Sequence, residues 1–104
     1  MRKLLVVVSV AALAVTAFAV VPAQSATRGV SVKDNFFSPK GATVGKGGTV
    51  TWKWGGRVAH NVTFRSTHSK TQSKGSFSVK FNNKGKFAYR CTIHPGMVGT
   101  ITVK

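Results

Sequence analysis

From residue 27 onward apolar side chains recur with a period of two rather than 3.6, the signature of half-buried strands. Val30 and Val32 alternate with polar neighbours. Val50, Trp52 and Trp54 alternate with Thr49, Thr51 and Lys53. Val62 and Phe64 follow His60, and Phe77, Val79 and Phe81 alternate with Ser76, Ser78 and Lys80. Phe87, Tyr89 and Cys91 alternate with Lys86, Ala88 and Arg90, and Ile101 and Val103 with Thr100, Thr102 and Lys104. Turn chemistry separates these runs at Ser38-Pro39-Lys40-Gly41, Lys46-Gly47-Gly48, Gly55-Gly56 and Asn82-Asn83-Lys84-Gly85. No segment carries a helical stripe. The pattern predicts an all-β antiparallel sandwich or small barrel of about seven strands. Arg65 to Gly75 has no apolar residue and is expected to be a mobile polar loop, with His68 a solvated surface histidine.

The N-terminus breaks this pattern. Arg2 and Lys3 precede an apolar run from Leu4 to Val21, which Pro22 ends, and Ala23-Gln24-Ser25-Ala26 supplies small residues for cleavage. Residues 1–25 are expected to be a signal peptide forming a helix, cut after Ser25 or Ala26, and residues 26–104 one small domain. The run is longer than a usual signal core yet short for a membrane span, so a retained anchor is the alternative. The reading places the domain outside the cytoplasm: periplasmic, extracellular or at the cell surface.

Charge adds a partner class. The chain has 16 basic residues against a single acid, Asp34, and only Arg2 and Lys3 lie in the leader. The basic residues are scattered singly. They either make a self-repelling soluble surface or meet anionic surfaces such as acidic proteins, anionic lipid or cell-wall polymers. Export argues against nucleic acid. Charge alone leaves the other partner classes open.

The candidate chemistry is concentrated in Cys91-Thr92-Ile93-His94-Pro95-Gly96-Met97. This run holds the only cysteine, one of three histidines and, apart from the initiator, the only methionine. A lone cysteine in an exported chain is a reactive thiol, an intermolecular bridge or a metal ligand. Strand parity shared with Phe87 and Tyr89 aims Cys91 inward, and His94 and Met97 follow in a tight loop. His60 shares the parity of Val62 and Phe64 and supplies a fourth donor. Structural zinc prefers Cys and His without methionine. Two imidazoles, a thiolate and a weak thioether suit electron-transfer copper.

These residues resemble the type 1 (blue) copper proteins of the cupredoxin family, in the plastocyanin, pseudoazurin and amicyanin branch. The Cys-x-x-His-x-x-Met spacing is most similar to amicyanins. Phe37-Ser38-Pro39, Gly48-Thr49-Val50-Thr51-Trp52, His60-Asn61 and Gly85-Lys86-Phe87-Ala88-Tyr89-Arg90-Cys91 resemble further family segments, so the likeness covers nearly all of residues 28–104. It implies a Greek-key β-sandwich binding one copper ion. It also implies that His60, Cys91 and His94 are equatorial ligands and Met97 the axial one. The Asn61 amide would bond the Cys91 sulfur, and the Asn61 side chain would reach Thr92. His94 would reach the surface through a docking patch of Pro95, Gly96 and Val98. The implied function is one-electron transport by a monomer, with an acidic redox protein as the expected partner and without an enzymatic activity of its own. The segment between His60 and Cys91 is shorter than in most members, so an intervening strand or helix is expected to be missing.

Two other readings use the same residues. A copper-delivery protein would need an exchangeable site. A thiol enzyme would pair Cys91 with His60 or His94 and Arg90. The small domain leaves little room for a cleft, and Met97 would then have no role.

Overall fold

Alternation becomes architecture in the computed structural model, which describes residues 26–104; the leader expected over residues 1–25 lies outside the described residues. Seven strands are present: β1 (Thr27–Lys33), β2 (Phe36–Ser38), β3 (Gly41–Val44), β4 (Thr49–Trp54), β5 (Ser76–Lys80), β6 (Gly85–Arg90) and β7 (Val98–Val103). No helix occurs among the described residues. One sheet has the order β2-β1-β4-β5 and the other β3-β7-β6.

The inward positions of the period-two pattern form the core. Val30, Val32, Val50, Trp52, Trp54, Tyr89, Ile101 and Val103 are all buried. Burying each such side chain stabilises the fold by about 1.5–3 kcal/mol. Aromatic rings join the two sheets: Trp52 of β4 meets Tyr89 of β6 edge to face, with centroids 5.3 Å apart. Phe37 of β2 packs on the same tyrosine at 4.7 Å.

Three expectations are corrected. First, the sandwich is not wholly antiparallel. β1 pairs with β4 in parallel, and β3 with β7 in parallel. The chain leaves the first sheet after β2, pairs β3 into the second, and returns in β4 beside β1. Alternation reports which face a residue occupies, and it carries no information on strand direction.

Second, Val62 and Phe64 do not lie in a strand. Only isolated bridges form there, from His60 to Gln72 and from Thr63 to both His68 and Arg90. Parity does not hold there either: His60, Asn61 and Val62 are all buried, and Thr63 and Phe64 are both half-buried. Five of the alternating runs form strands, and β2 and β3, whose short runs carry little alternation, complete the seven.

Third, the polar segment 65–75 is tied down. Ser69 is buried and its Oγ accepts the Val62 amide at 2.9 Å, while the Ser69 amide donates to the Val62 carbonyl at 2.9 Å. His60 and Gln72 exchange two backbone hydrogen bonds at 2.9 and 3.0 Å. Hydroxyls and backbone groups hold this segment, so it needs no apolar residues. His68 is exposed as expected, with its Nδ1 2.9 Å from the Ser69 carbonyl. Between His60 and Cys91 the chain forms β5 and β6.

Candidate metal centre

Cys91 follows the last residue of β6, and the seven-residue run bends back on itself to enter β7. The Cys91 amide donates to the Met97 carbonyl at 2.9 Å, and the Met97 amide donates to the His94 carbonyl at 3.1 Å. Gly96 takes φ +85°, a region that residues with a Cβ rarely adopt, which lets the turn close in so few residues. Cys91 and Met97 are buried, His94 is half-buried, and Pro95 and Gly96 are exposed.

His60 arrives from the other side of this pole and is fully buried. Its backbone is fixed by more than the Gln72 pairing. Trp54, at the end of β4, donates its indole Nε1–H to the His60 carbonyl at 3.0 Å. The segment 65–75 and a core tryptophan thus hold this histidine together.

The donor atoms converge. His60 Nδ1 and His94 Nδ1 are 3.0 Å apart, Cys91 Sγ is 3.5 Å from His94 Nδ1, and it is 3.9 Å from His60 Nδ1. A point roughly 2 Å from all three atoms lies inside that triangle, close to the length of a metal–imidazole bond. The chemistry of the set fits copper, because two imidazoles and a thiolate in a trigonal array form the blue-copper donor set. His60, Cys91 and His94 form the one such cluster found among the described residues.

Asn61 braces the cluster. Its backbone amide points at Cys91 Sγ at 3.5 Å. Its side chain donates to Thr92 Oγ1 at 2.9 Å and Thr71 Oγ1 at 3.0 Å. Its Oδ1 accepts from the Thr92 amide at 3.0 Å and from the Thr63 hydroxyl at 2.9 Å. All four hydrogen-bonding places of the amide are filled, as a buried amide requires.

One residue of the site was missed by the sequence reading. Asp34, the only Asp or Glu of the chain, reaches His60 Nε2 with its Oδ1 at 2.9 Å. Its carboxylate also accepts the amides of Arg57 and Val58 at 3.0–3.1 Å. These amide bonds, led by Arg57, together with the His60 contact, hold the Asp34 carboxyl down from 3.8 to about 2. An ionised carboxylate can only accept, so His60 Nε2 carries a proton, and in the neutral imidazole Nδ1 then holds the lone pair. The available signal was the solitary acid itself in a strongly basic chain.

Pro95, Gly96 and Val98, the expected docking patch, are all exposed. Val98 opens β7 opposite Arg90 and lines a groove with Lys40 and Arg65. The large apolar side chains exposed nearest in sequence to the donors are Ile93, beside His94, and Val58, beside the loop that holds Asp34.

Fold and donor set together define a small β-sandwich copper protein. The model of the copper binding proteins of the plastocyanin/azurin family matches residues 24–104, and the chain belongs to that family. It is 30% identical to amicyanin of Paracoccus versutus over 92 residues, covering 81% of this chain and 68% of that one. It is 36% identical to amicyanin-alpha of Methylorubrum extorquens over 66 residues, covering 56% of each chain. A purple cupredoxin from Nitrosopumilus maritimus has the same fold, with TM-score 0.69 at 24% identity over 74% of this chain and 99% of that one. A Cu(I) structure of an amicyanin variant superposes with TM-score 0.67 at 26% identity, covering 75% of this chain and 82% of that one.

Proposed function

We propose that this protein is an exported one-electron carrier whose copper is held by His60, Cys91 and His94, with Met97 as a weak axial ligand. The convergence of two imidazole nitrogens and a thiolate at 3.0–3.9 Å carries this reading. Bound copper supplies the one-electron couple. The chain supplies a braced donor set: Asn61 ties both ligand-bearing segments together, and Trp54 and Gln72 fix the His60 backbone. A site that moves little between oxidation states keeps the cost of electron transfer low.

The same bracing argues for a carrier over a delivery protein. Delivery needs an incoming ligand to reach the metal, yet His60 and Cys91 are buried. Half-buried His94, with Ile93 and Pro95 exposed beside it, is the edge through which an electron passes to a docked partner. The excess of basic residues steers acidic partners and makes association depend on salt. The leader-like sequence of residues 1–25 supports export.

The test is reconstitution with Cu(II). The expected result is an intense thiolate-to-copper band that bleaches with a one-electron reductant and returns on oxidation without loss of metal. No such band would overturn the type 1 assignment. Prompt transfer of the metal to an apo-acceptor, without electron exchange, would favour delivery. Rates with an acidic redox protein should fall as ionic strength rises, and salt-independent rates would remove the steering.

A further inference from the structure

Asp34 has a place in the fold that its own strand does not require. It lies in the turn between β1 and β2, whereas its contacts are with residues 56–60, which follow β4. Its Oδ1 accepts three times, from the amides of Arg57 and Val58 and from His60 Nε2. The backbone is shaped to admit it. A Cβ at Gly56 would collide with the Asp34 carboxylate, so only glycine leaves room there. The carboxylate is about one-third exposed while His60 is fully buried, so the acid links a buried imidazole to the solvent edge of the pole.

We propose that Asp34 is a positioning residue for the copper centre: it holds the His60 ring in the tautomer whose Nδ1 lone pair faces Cys91 and His94. An imidazole can present Nδ1 or Nε2, and the hydrogen bond made by one nitrogen decides which is free. Asp34 occupies Nε2, which leaves Nδ1 inside the donor triangle. The carboxylate also increases the electron donation of the imidazole, and such outer contacts typically change metal affinity by roughly 10–100-fold when removed. A negative charge close to the ligand favours the more highly charged metal state. In a chain with a single acid, this site receives all the carboxylate character the side chains offer.

The inference rests on the copper reading above, but its first test needs no metal. In the metal-free protein, 15N NMR should report His60 protonated at Nε2. Asp34→Ala should release the ring to a mixture of tautomers. Asp34→Asn keeps an acceptor oxygen and removes only the charge, so it should fold and retain the wild-type tautomer. In the copper-loaded protein, Asp34→Asn should weaken Cu(II) about tenfold more than Cu(I), which raises a one-electron potential by about 59 mV. A lower melting temperature with the tautomer and the potential unchanged would mean that Asp34 only staples the 57–58 loop, and would overturn the proposal. If wild-type protein gives no blue centre, the copper reading fails, while the metal-free tautomer still decides the role of Asp34.

Discussion

Asn61 and Thr92 grip one another through two hydrogen bonds of opposite sense: Asn61 Nδ2 donates to Thr92 Oγ1 at 2.9 Å, and the Thr92 amide donates to Asn61 Oδ1 at 3.0 Å. Asn61 follows His60 and Thr92 follows Cys91, so this pair fastens the two donor-bearing segments residue for residue. Asn61→Ala breaks both bonds and strands the Thr92 amide, and each buried group left unpaired costs about 1–3 kcal/mol. Urea denaturation of the metal-free protein should show a loss of about 2–4 kcal/mol. Thr92→Val, which keeps its amide bond to Asn61, should lose less. Equal losses in the two variants would contradict this division.

Cys91→Ser should abolish the intense visible band of the Cu(II) protein, because the hydroxyl cannot supply the thiolate charge transfer. Met97→Leu keeps a buried apolar side chain of similar volume. It should retain the colour and shift the reduction potential, since an axial thioether tunes the potential more than it holds the metal. Absorption spectra and voltammetry of the two variants check this, and a colourless Met97→Leu protein would show that the thioether is required to form the centre.

Trp54→Phe separates packing from positioning. Phenylalanine fills most of the volume but cannot donate to the His60 carbonyl. The lost hydrogen bond costs about 0.5–1.5 kcal/mol, and the smaller ring adds a cavity penalty of similar size. Faster amide exchange at His60 and Gln72, relative to the rest of β4, would locate the loss at the donor segment. Uniform loosening of the core would point to packing alone.

Tyr89 gives a prediction at alkaline pH. Burial pushes its phenol above the ordinary 10.0, offset in part by the nearby Trp52 indole, and neither Tyr89 Oη nor Trp52 Nε1 completes a well-formed hydrogen bond. Above pH 10 the unfolded chain loses the phenolic proton while the folded chain keeps it. Stability therefore falls as pH rises from 10.0 towards the raised folded value, and is unaffected by this group below that range. Tyr89→Phe should match or exceed wild-type stability at neutral pH and flatten the decline above pH 10. A melting series over pH 8–11 compares the two.

The sandwich was legible because alternation survives any reading direction: Val50, Trp52 and Trp54 face inward whether or not their neighbour strands run parallel. The candidate ligand loop was legible for a local reason. Cys91, His94 and Met97 lie within seven residues, and their spacing is a property of the chain. His60 was reached through strand parity, but no strand forms there and Asn61 beside it is buried as well; its inward seat comes from the Gln72 pairing and the Trp54 indole. The polar segment 65–75 was misjudged because hydroxyl and backbone hydrogen bonds leave no hydrophobic trace, and Ser69 is buried without one. Asp34 was overlooked because 26 positions separate it from His60, and no periodicity connects a turn after β1 to a loop after β4.

What the sequence by itself determined is the inward face of the five alternating strands and the candidate ligands of the Cys91–Met97 loop, since both follow from side-chain chemistry at short range. Tertiary structure decided the parallel pairing of β1 with β4, the seating of Asn61 between two segments, and the joining of the solitary carboxylate to a buried imidazole. Those depend on where the chain crosses between sheets, and a crossing brings together residues whose separation in sequence carries no signal.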